Sequence, residues 1–192
     1  LLATDQNLVL TGISGANLDA LLGEPLLQTY SPNPRPFERG VVACTGSEFC
    51  RLAVVETKAR ALEWARDLDN RVGRDLDLGP GETIRLHFSG CSASCAQPQI
   101  ADVGFRGETA KTADAIVAVV DIGLGGSLGR DAAFGDWVDG ARPVDQVPDA
   151  LVGVFGRFAA ERRPGERFAE WARRVPNPAL RQTLADGAAQ HP

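Results

Sequence analysis

The chain has 192 residues, a formal net charge of −5 and 44% hydrophobic residues, the composition of a globular protein with a core of its own. Its 20 basic residues are almost all arginines scattered along the chain, which argues against a nucleic-acid or membrane surface. No apolar run approaches the roughly 20 residues that cross a bilayer, and we expect a cytoplasmic protein.

The first residues begin in the middle of a predicted element. Residues 5–13, DQNLVLTGI, are rich in Leu and Val and predict a buried strand, and the chain starts without a methionine. We therefore expect a fragment of a longer polypeptide. A short helix with Asn17 as its N-cap is predicted next. The three prolines of residues 31–36 predict a connector and the domain boundary.

The middle of the chain combines short strands with one long helix. The sequence GVVAC, residues 40–44, predicts a short strand, and residues 51–72 carry apolar side chains at helical spacing. Three further strands are predicted at residues 83–90, 100–107 and 115–126, the last nearly all apolar and therefore buried on both faces. From residue 145 onward, helical patterns alternate with proline breaks.

The four cysteines fall into two close pairs. Cys44 and Cys50 form C-x5-C, and Cys91 and Cys95 form C-x3-C about forty residues later. Zinc sites usually show C-x2-C or C-x4-C and thioredoxin-like sites C-x-x-C, so neither template fits. A 4Fe-4S cubane takes one thiolate per iron and suits wider spacings. We predict a cubane bound by all four cysteines; two disulfides or four unrelated core thiols are the alternative.

The surroundings of the cysteines support this prediction. Cys50 lies at the predicted start of the long helix, where free N–H groups and the positive end of the helix dipole favour thiolates. Small residues beside the cysteines, including Thr45 and Gly90, allow the backbone to approach a cluster closely. We therefore predict that the helix N-terminus faces the site. The four sulfurs should lie within about 6–7 Å of one another.

The sequences around the two pairs resemble a known family. GVVACTGSEFCRLAVVETKARA and LHFSGCSASCAQPQIADVGFRG are similar to the sirohaem and 4Fe-4S signature of ferredoxin-dependent nitrite and sulfite reductases. The resemblance continues through GGSLG to GERFAEWARR and corresponds to about the C-terminal third of such an enzyme. It implies an α+β fold in which a mixed sheet packs with helices. Residues 1–30 would end a ferredoxin-like repeat, residues 31–140 would bind the cluster and sirohaem, and residues 141–192 would form a helical tail.

The resemblance also implies an activity and a set of residue roles. The whole enzyme would reduce nitrite to ammonia or sulfite to sulfide, a six-electron reaction at a sirohaem coupled to the 4Fe-4S cluster, with a ferredoxin-like electron donor. Cys95 would be the ligand shared by both cofactors. Gln6 would bind a sirohaem carboxylate, or merely cap a strand entry, and Thr45 would contact the cofactor. Because the family's anion-binding residues lie mostly in the missing N-terminal part, the fragment alone is expected to be inactive.

Two other functions fit parts of the sequence. Ser92-Ala93 stands where many family members have Pro-Asn, and SGCSASCAQP also resembles precorrin-3B synthases of cobalamin biosynthesis. A non-catalytic iron-sulfur electron-transfer module is the third possibility. His87 is either a proton donor near the site or a packed strand residue. The loop at residues 123–129, GLGGSLG, either cradles a phosphate or packs its backbone against the cofactor.

Overall fold

The computed structural model describes residues 1–79, 82–113 and 115–189. Its centre is a five-stranded mixed sheet with the strands in sequence order. The first three strands are parallel neighbours, whereas the third, fourth and fifth pair antiparallel. The strands are β1 (Val41–Ala43), β2 (Leu86–Ser89), β3 (Val103–Lys111), β4 (Ile116–Leu124) and β5 (Asp136–Pro143). The predicted mixed α+β architecture is therefore confirmed.

Helices precede, connect and follow the strands. They are α1 (Leu18–Leu22), α2 (Pro25–Thr29), α3 (Pro36–Arg39), α4 (Lys58–Arg71), α5 (Val147–Glu161), α6 (Phe168–Arg174) and α7 (Asn177–Ala189). Within the described ranges, none of the helices combines the length and the apolar character needed to traverse a membrane.

Aromatic side chains join α4 to the parallel part of the sheet. The ring of Trp64 stacks on Phe88 of β2, with centroids 5.0 Å apart, and meets the edge of Phe105 of β3 at 5.3 Å. All three side chains are almost completely buried. This packing holds α4 against the sheet, where the helix also contacts β1. Parallel neighbouring strands need a crossover connection, and α4 provides the one between β1 and β2.

The C-terminal helices share one hydrophobic core with the sheet. Phe155 of α5 contacts Phe37 of α3 at a ring-centroid distance of 4.7 Å and Phe168 of α6 at 4.8 Å. From α7, the Arg181 guanidinium donates to the Val138 carbonyl of β5 at 2.8 Å. The helices after β5 are thus tied into the same core as the cysteine-bearing strands.

The structure confirms four predicted strands and corrects three details. Residues 5–13 form no strand, and only a Leu2–Leu8 bridge is found in that region. The predicted helix at residues 51–72 begins at Lys58, so Cys50 lies in a turn and not at a helix start. β4 is buried only in its second half, since Ile116 is 74% exposed. β5, which is rich in charged residues and ends at a proline, was not predicted.

Candidate metal centre

The two cysteine pairs lie at the carboxyl ends of adjacent parallel strands. Cys44 directly follows β1, and Cys91 comes two residues after β2 ends. Ala43 pairs with Phe88, and the Cys44 N–H donates to the Phe88 carbonyl at 3.0 Å, which continues the ladder beyond the strand. Because neighbouring parallel strands end at the same edge of a sheet, the fold brings the two pairs to one edge despite their separation in sequence.

A direct hydrogen bond links the loop of one pair to a thiol of the other. The Gly90 N–H donates to the Sγ of Cys44 at 3.2 Å. Glycine is required here because a Cβ on Gly90 would lie 2.7 Å from the Val55 carbonyl oxygen and 2.9 Å from the Ala53 Cβ. Val54 N–H in turn donates to the Gly90 carbonyl at 2.8 Å. The loop after β1 and the loop after β2 are therefore one hydrogen-bonded unit.

Cys50 is held by a turn that begins at Gly46. The Cys50 N–H donates to the Gly46 carbonyl at 3.0 Å, and Gly46 has a φ of 73°, a left-handed conformation that favours glycine. The Ser47 N–H donates to the Val55 carbonyl at 3.1 Å, which closes the loop. The side chain of Phe49, which precedes Cys50, is 74% exposed, so this loop lies at the protein surface.

Cys95 ends a second tight turn. The Ser94 N–H reaches the Cys91 carbonyl at 3.4 Å, and Ser94 itself adopts a φ of 59°. The next residue, Ala96, donates its N–H to the hydroxyl of the buried Ser89 at 3.0 Å. A β2 side chain thus anchors the turn, and Cys95 is the one cysteine of the four that is exposed.

All four cysteines are free, and Cys44, Cys50 and Cys91 are half-buried. In the part of the chain that the structure describes, no three His, Cys, Asp or Glu side chains are grouped closely enough for a single metal ion. A cubane distributes its four thiolates over four irons and so has more widely spaced ligands than one zinc ion. The convergence of all four sulfurs within cubane distance stays a prediction.

The N-terminus of α4 lies against Cys44, as predicted. Its N-cap residue, Thr57, is completely buried and donates its hydroxyl to the Cys44 carbonyl at 2.7 Å, with Oγ1 3.8 Å from Sγ. Lys58 places its ammonium 3.3 Å from the carbonyl of Ala43. The positive end of the helix dipole and this ammonium therefore both lie beside Cys44. The dipole argument therefore applies to Cys44, not to Cys50.

A cavity of about 450 Å³ opens beside the second cysteine pair. Cys95 is the cysteine that lines it, together with Gln6 and three basic side chains, Arg39, Arg85 and His87. The structure thus brings together two of the three residues predicted to bind the cofactor. Thr45, the third, is exposed and is not one of the cavity-lining residues.

Gln6 binds the free edge of β1 with its side-chain amide. Its Nε2 donates to the Ala43 carbonyl at 2.9 Å, and its Oε1 accepts the Ala43 N–H at 3.2 Å. Gln6 adopts a φ of 64° to do so. The amide therefore holds Ala43, the last residue of β1 and the one that precedes Cys44. The predicted contact of Gln6 with a sirohaem carboxylate stays a prediction.

Arg85 and His87 were not recognised as a pair from the sequence. Arg85 directly precedes β2 and His87 is its second residue, so the two-residue period of an extended chain directs both side chains to one face, and both line the cavity. Arg85 is fixed by Asp102, whose carboxylate accepts from its Nε at 2.9 Å and from its backbone N–H at 2.9 Å. The strand period is the signal that would have found them.

His87 is buried and keeps its neutral form at neutral pH. Burial lowers the pKa of its imidazole below the ordinary value of 6.5, although backbone hydrogen bonds at Gln97 and Ala96 act in the opposite direction. Its Nδ1 lies 3.2 Å from the Gln97 carbonyl. The His87 ring therefore contacts the segment that follows Cys95 and also lines the cavity.

The loop GLGGSLG does not form a phosphate cradle. The Gly125 N–H donates to the Asp102 carbonyl at 3.0 Å, and the Ser127 N–H donates to the Ala133 carbonyl at 2.9 Å. From α6, the Arg173 guanidinium donates to the Gly125 carbonyl at 2.5 Å. These backbone groups are thus committed within the protein, whereas Leu128 of the loop lines the cavity.

Comparison with known proteins assigns the family. The model of the nitrite and sulphite reductase 4Fe-4S domain matches residues 36–190, which include all four cysteines. The chain belongs to this family. It is 41% identical over 166 residues to an assimilatory ferredoxin-dependent nitrite reductase of Haloferax mediterranei, and 44% identical over 172 residues to a chloroplastic ferredoxin–nitrite reductase of Zea mays.

Each of these alignments covers 86% of the chain and 28–29% of the relative. The structure of the Mycobacterium tuberculosis NirA protein is similar to 89% of the chain with a TM-score of 0.78 and 34% identity, and that match covers 32% of the NirA chain. The chain thus spans less than a third of the length of these relatives, and it corresponds to the 4Fe-4S domain within this reductase family.

Proposed function

We propose that this chain is the cluster-bearing part of a ferredoxin-dependent nitrite reductase, which reduces nitrite to ammonia. The observation that carries the proposal is the junction of the two cysteine loops, where the Gly90 N–H binds the Cys44 sulfur beside a cavity that Cys95 lines. The relatives from Haloferax mediterranei and Zea mays are nitrite reductases, which supports nitrite, and not sulfite, as the substrate.

The donor set fits a 4Fe-4S cluster. Thiolates are the ligands that hold such clusters, and hydrogen bonds to their sulfurs help to set the reduction potential. The four free cysteines supply the thiolates, and the Gly90 N–H supplies such a hydrogen bond at Cys44.

The cavity fits part of a sirohaem site. Its volume of about 450 Å³ is in the range of ligand sites, and Arg39 and Arg85 offer two positive charges to an acidic tetrapyrrole, against one carboxylate from Asp5. Cys95 would be the ligand shared by the two cofactors because it is both a predicted cluster ligand and a cavity-lining residue. Gln6 would hold the adjoining edge of β1, and Thr45 would reach the cofactor only from the surface side.

The cluster and sirohaem, when bound, supply the electron relay and the iron at which the substrate is reduced. The residues of this chain orient and shield the site. The Arg85 guanidinium, fixed by Asp102, presents a positive charge to the cavity. His87 remains neutral and buried at the cavity wall, where a neutral imidazole can accept and donate a proton. Electrons come from a ferredoxin-like donor, as the names of the relatives suggest.

The experiment uses the complete polypeptide that contains this segment. We expect nitrite-dependent oxidation of reduced ferredoxin or a reduced viologen with ammonia as product, and a visible spectrum of sirohaem. Sulfite, assayed in parallel, should give much slower turnover. Preferential sulfite turnover would contradict the assignment of nitrite. Hydroxylation of a cobalamin precursor would instead support the precorrin-3B synthase alternative.

A protein that holds a cluster but neither binds sirohaem nor reduces either anion would support the electron-transfer module. The predicted cytoplasmic location also stays a prediction, because the Zea mays relative is described as chloroplastic.

A further inference from the structure

Thr57 occupies the N-cap position of α4 but does not cap the helix. Threonine at an N-cap usually accepts a hydrogen bond from a backbone N–H of the first turn. Here that bond is missing, and the Glu56 carboxylate accepts from the Ala59 and Arg60 N–H groups instead, at 3.1 and 3.2 Å. The Thr57 hydroxyl is therefore released from its usual role.

The released hydroxyl is directed at Cys44. It donates to the Cys44 carbonyl at 2.7 Å, and its oxygen lies 3.8 Å from the Cys44 sulfur. The Thr57 side chain has no exposed surface, so water does not compete for these contacts. A Cβ on Gly46 would lie 2.7 Å from the Thr57 oxygen, which means that the loop is closed tightly over it.

The Cys44 sulfur therefore lies between two groups from different parts of the chain. The Gly90 N–H reaches it from the loop after β2, and the Thr57 hydroxyl reaches it from the start of α4. A thiolate has no proton to donate, so in the cluster-bound state the hydroxyl proton is the one available to the contact. This one proton has two acceptors within reach on the same cysteine, the carbonyl oxygen at 2.7 Å and the sulfur at 3.8 Å.

We propose that Thr57 is a positioning residue that fixes Cys44 as a cluster ligand and raises the reduction potential of the cluster. The proposal rests on the proposed function, since it requires a cluster at Cys44. Hydrogen bonds to ligand sulfur favour the more negatively charged reduced cluster, and removing one makes the potential more negative. The methyl group of Thr57 packs in the loop, whereas its hydroxyl acts on the cysteine.

Three variants of the complete holoprotein separate these roles. Thr57→Val removes the hydroxyl and keeps the shape, and Thr57→Ser keeps the hydroxyl and removes the methyl group. Thr183→Val is the matched control, because the Thr183 hydroxyl donates to the Ala179 carbonyl at 2.9 Å within α7, away from the cysteines. The readouts are the midpoint potential of the cluster in a titration followed by EPR and the rate at which the cluster is lost.

We expect Thr57→Val to shift the midpoint potential to a more negative value and to lose the cluster several-fold faster. Thr57→Ser should keep the potential of the wild type, and Thr183→Val should change neither readout. If Thr57→Val assembles no cluster, alkylation of the cluster-free protein followed by mass spectrometry provides the second test. Cys44 should then react several-fold faster than in wild-type protein from which the cluster has been removed, because the Thr57 hydroxyl no longer holds its carbonyl, and the Cys91 rate should be unchanged.

A wild-type potential in Thr57→Val overturns the proposal, as does a shift of the same size in Thr57→Ser. Unchanged alkylation of Cys44 in a cluster-free Thr57→Val protein also overturns it. Absence of a cluster from the wild-type protein would be a different result, because it would refute the proposed function itself.

Discussion

Gly90→Ala tests the junction between the two cysteine loops. The added methyl group would meet the Val55 carbonyl oxygen at 2.7 Å, the Ala53 Cβ at 2.9 Å and the Thr57 Cγ2 at 3.3 Å. Two of these distances are shorter than Cβ contacts in real proteins, and one neighbour is backbone. Either Gly90 or the loop at Val55 must therefore move, and the Gly90 N–H must move with it relative to the Cys44 sulfur.

The magnitude follows from overpacking at a buried site. Inserting a methyl group into a closely packed region costs about 1–3 kcal/mol. Gly156→Ala is the matched control, because Gly156 is exposed on α5 and a Cβ there meets nothing within 4 Å. Alanine in a helix interior should stabilise the protein by about 0.5–1 kcal/mol relative to glycine. The two variants should thus differ by about 1.5–4 kcal/mol.

Urea unfolding measures this difference, with tryptophan fluorescence as the signal because Trp64 stacks on Phe88 of β2. Iron content after anaerobic reconstitution measures the effect on the site. We expect Gly90→Ala to lower both the free energy of unfolding and the iron content, and Gly156→Ala to lower neither. Equal stability and full iron content in Gly90→Ala would refute the junction as the feature that organises the site.

Three further predictions concern the cavity side of the site. Cys95→Ser in the complete enzyme should disrupt both cofactors or their coupling, whereas Ala93→Asn should be tolerated, and iron content and visible spectra measure both effects. Full sirohaem-coupled turnover in Cys95→Ser would disprove that Cys95 is a ligand of both cofactors. Burial lowers the pKa of His87 below 6.5, so the neutral imidazole stabilises the folded protein fully above that pH and this contribution is lost as the pH falls. The free energy of unfolding should therefore fall less in His87→Gln than in the wild type between about pH 7.5 and 5.5. Asp102→Ala leaves Arg85 without its carboxylate and should cost about 3 kcal/mol in urea unfolding, and a cost under about 1 kcal/mol would show that solvent compensates.

The sequence predicted the elements whose signals are local. The short apolar run before each cysteine pair indicated β1 and β2, and both are strands. The start of α4 was predicted seven residues too early, because residues 51–55 continue the helical pattern of apolar side chains. In the fold, Val54 and Val55 donate their N–H groups to the Gly90 carbonyl instead. That contact joins distant parts of the chain and leaves no local signal.

β5 could not be predicted for a related reason. Its residues DWVDGARP are poor in β-branched side chains, and they form a strand because β4 offers an edge, with register shifts along the pair. Residues 5–13 show the converse case. Their apolar side chains predicted a buried strand, but Leu8 and Leu10 are 64% and 50% exposed and find no neighbouring strand in the described part of the chain.

At the site, the spacing of the cysteines predicted the ligands but not the cavity. The convergence of the four sulfurs, expected from cubane ligation, stays a prediction, although the N–H of Gly90, the neighbour of Cys91, lies 3.2 Å from the Cys44 sulfur. The cavity brings together Gln6, Arg39 and Arg85 from three separate segments of the chain, and only tertiary packing brings them beside Cys95. No local pattern indicated that Thr57, at the N-cap of α4, would contact Cys44 and not cap the helix.

The proposed function requires that one 4Fe-4S cluster is bound by all four cysteines, Cys44, Cys50, Cys91 and Cys95. The most direct measurement is iron anomalous scattering from crystals of the complete holoprotein prepared without oxygen. We expect a single compact group of irons with all four cysteine sulfurs bonded to it and Cys95 facing the tetrapyrrole. Iron bound at one cysteine pair alone, or two separate metal sites, would contradict it.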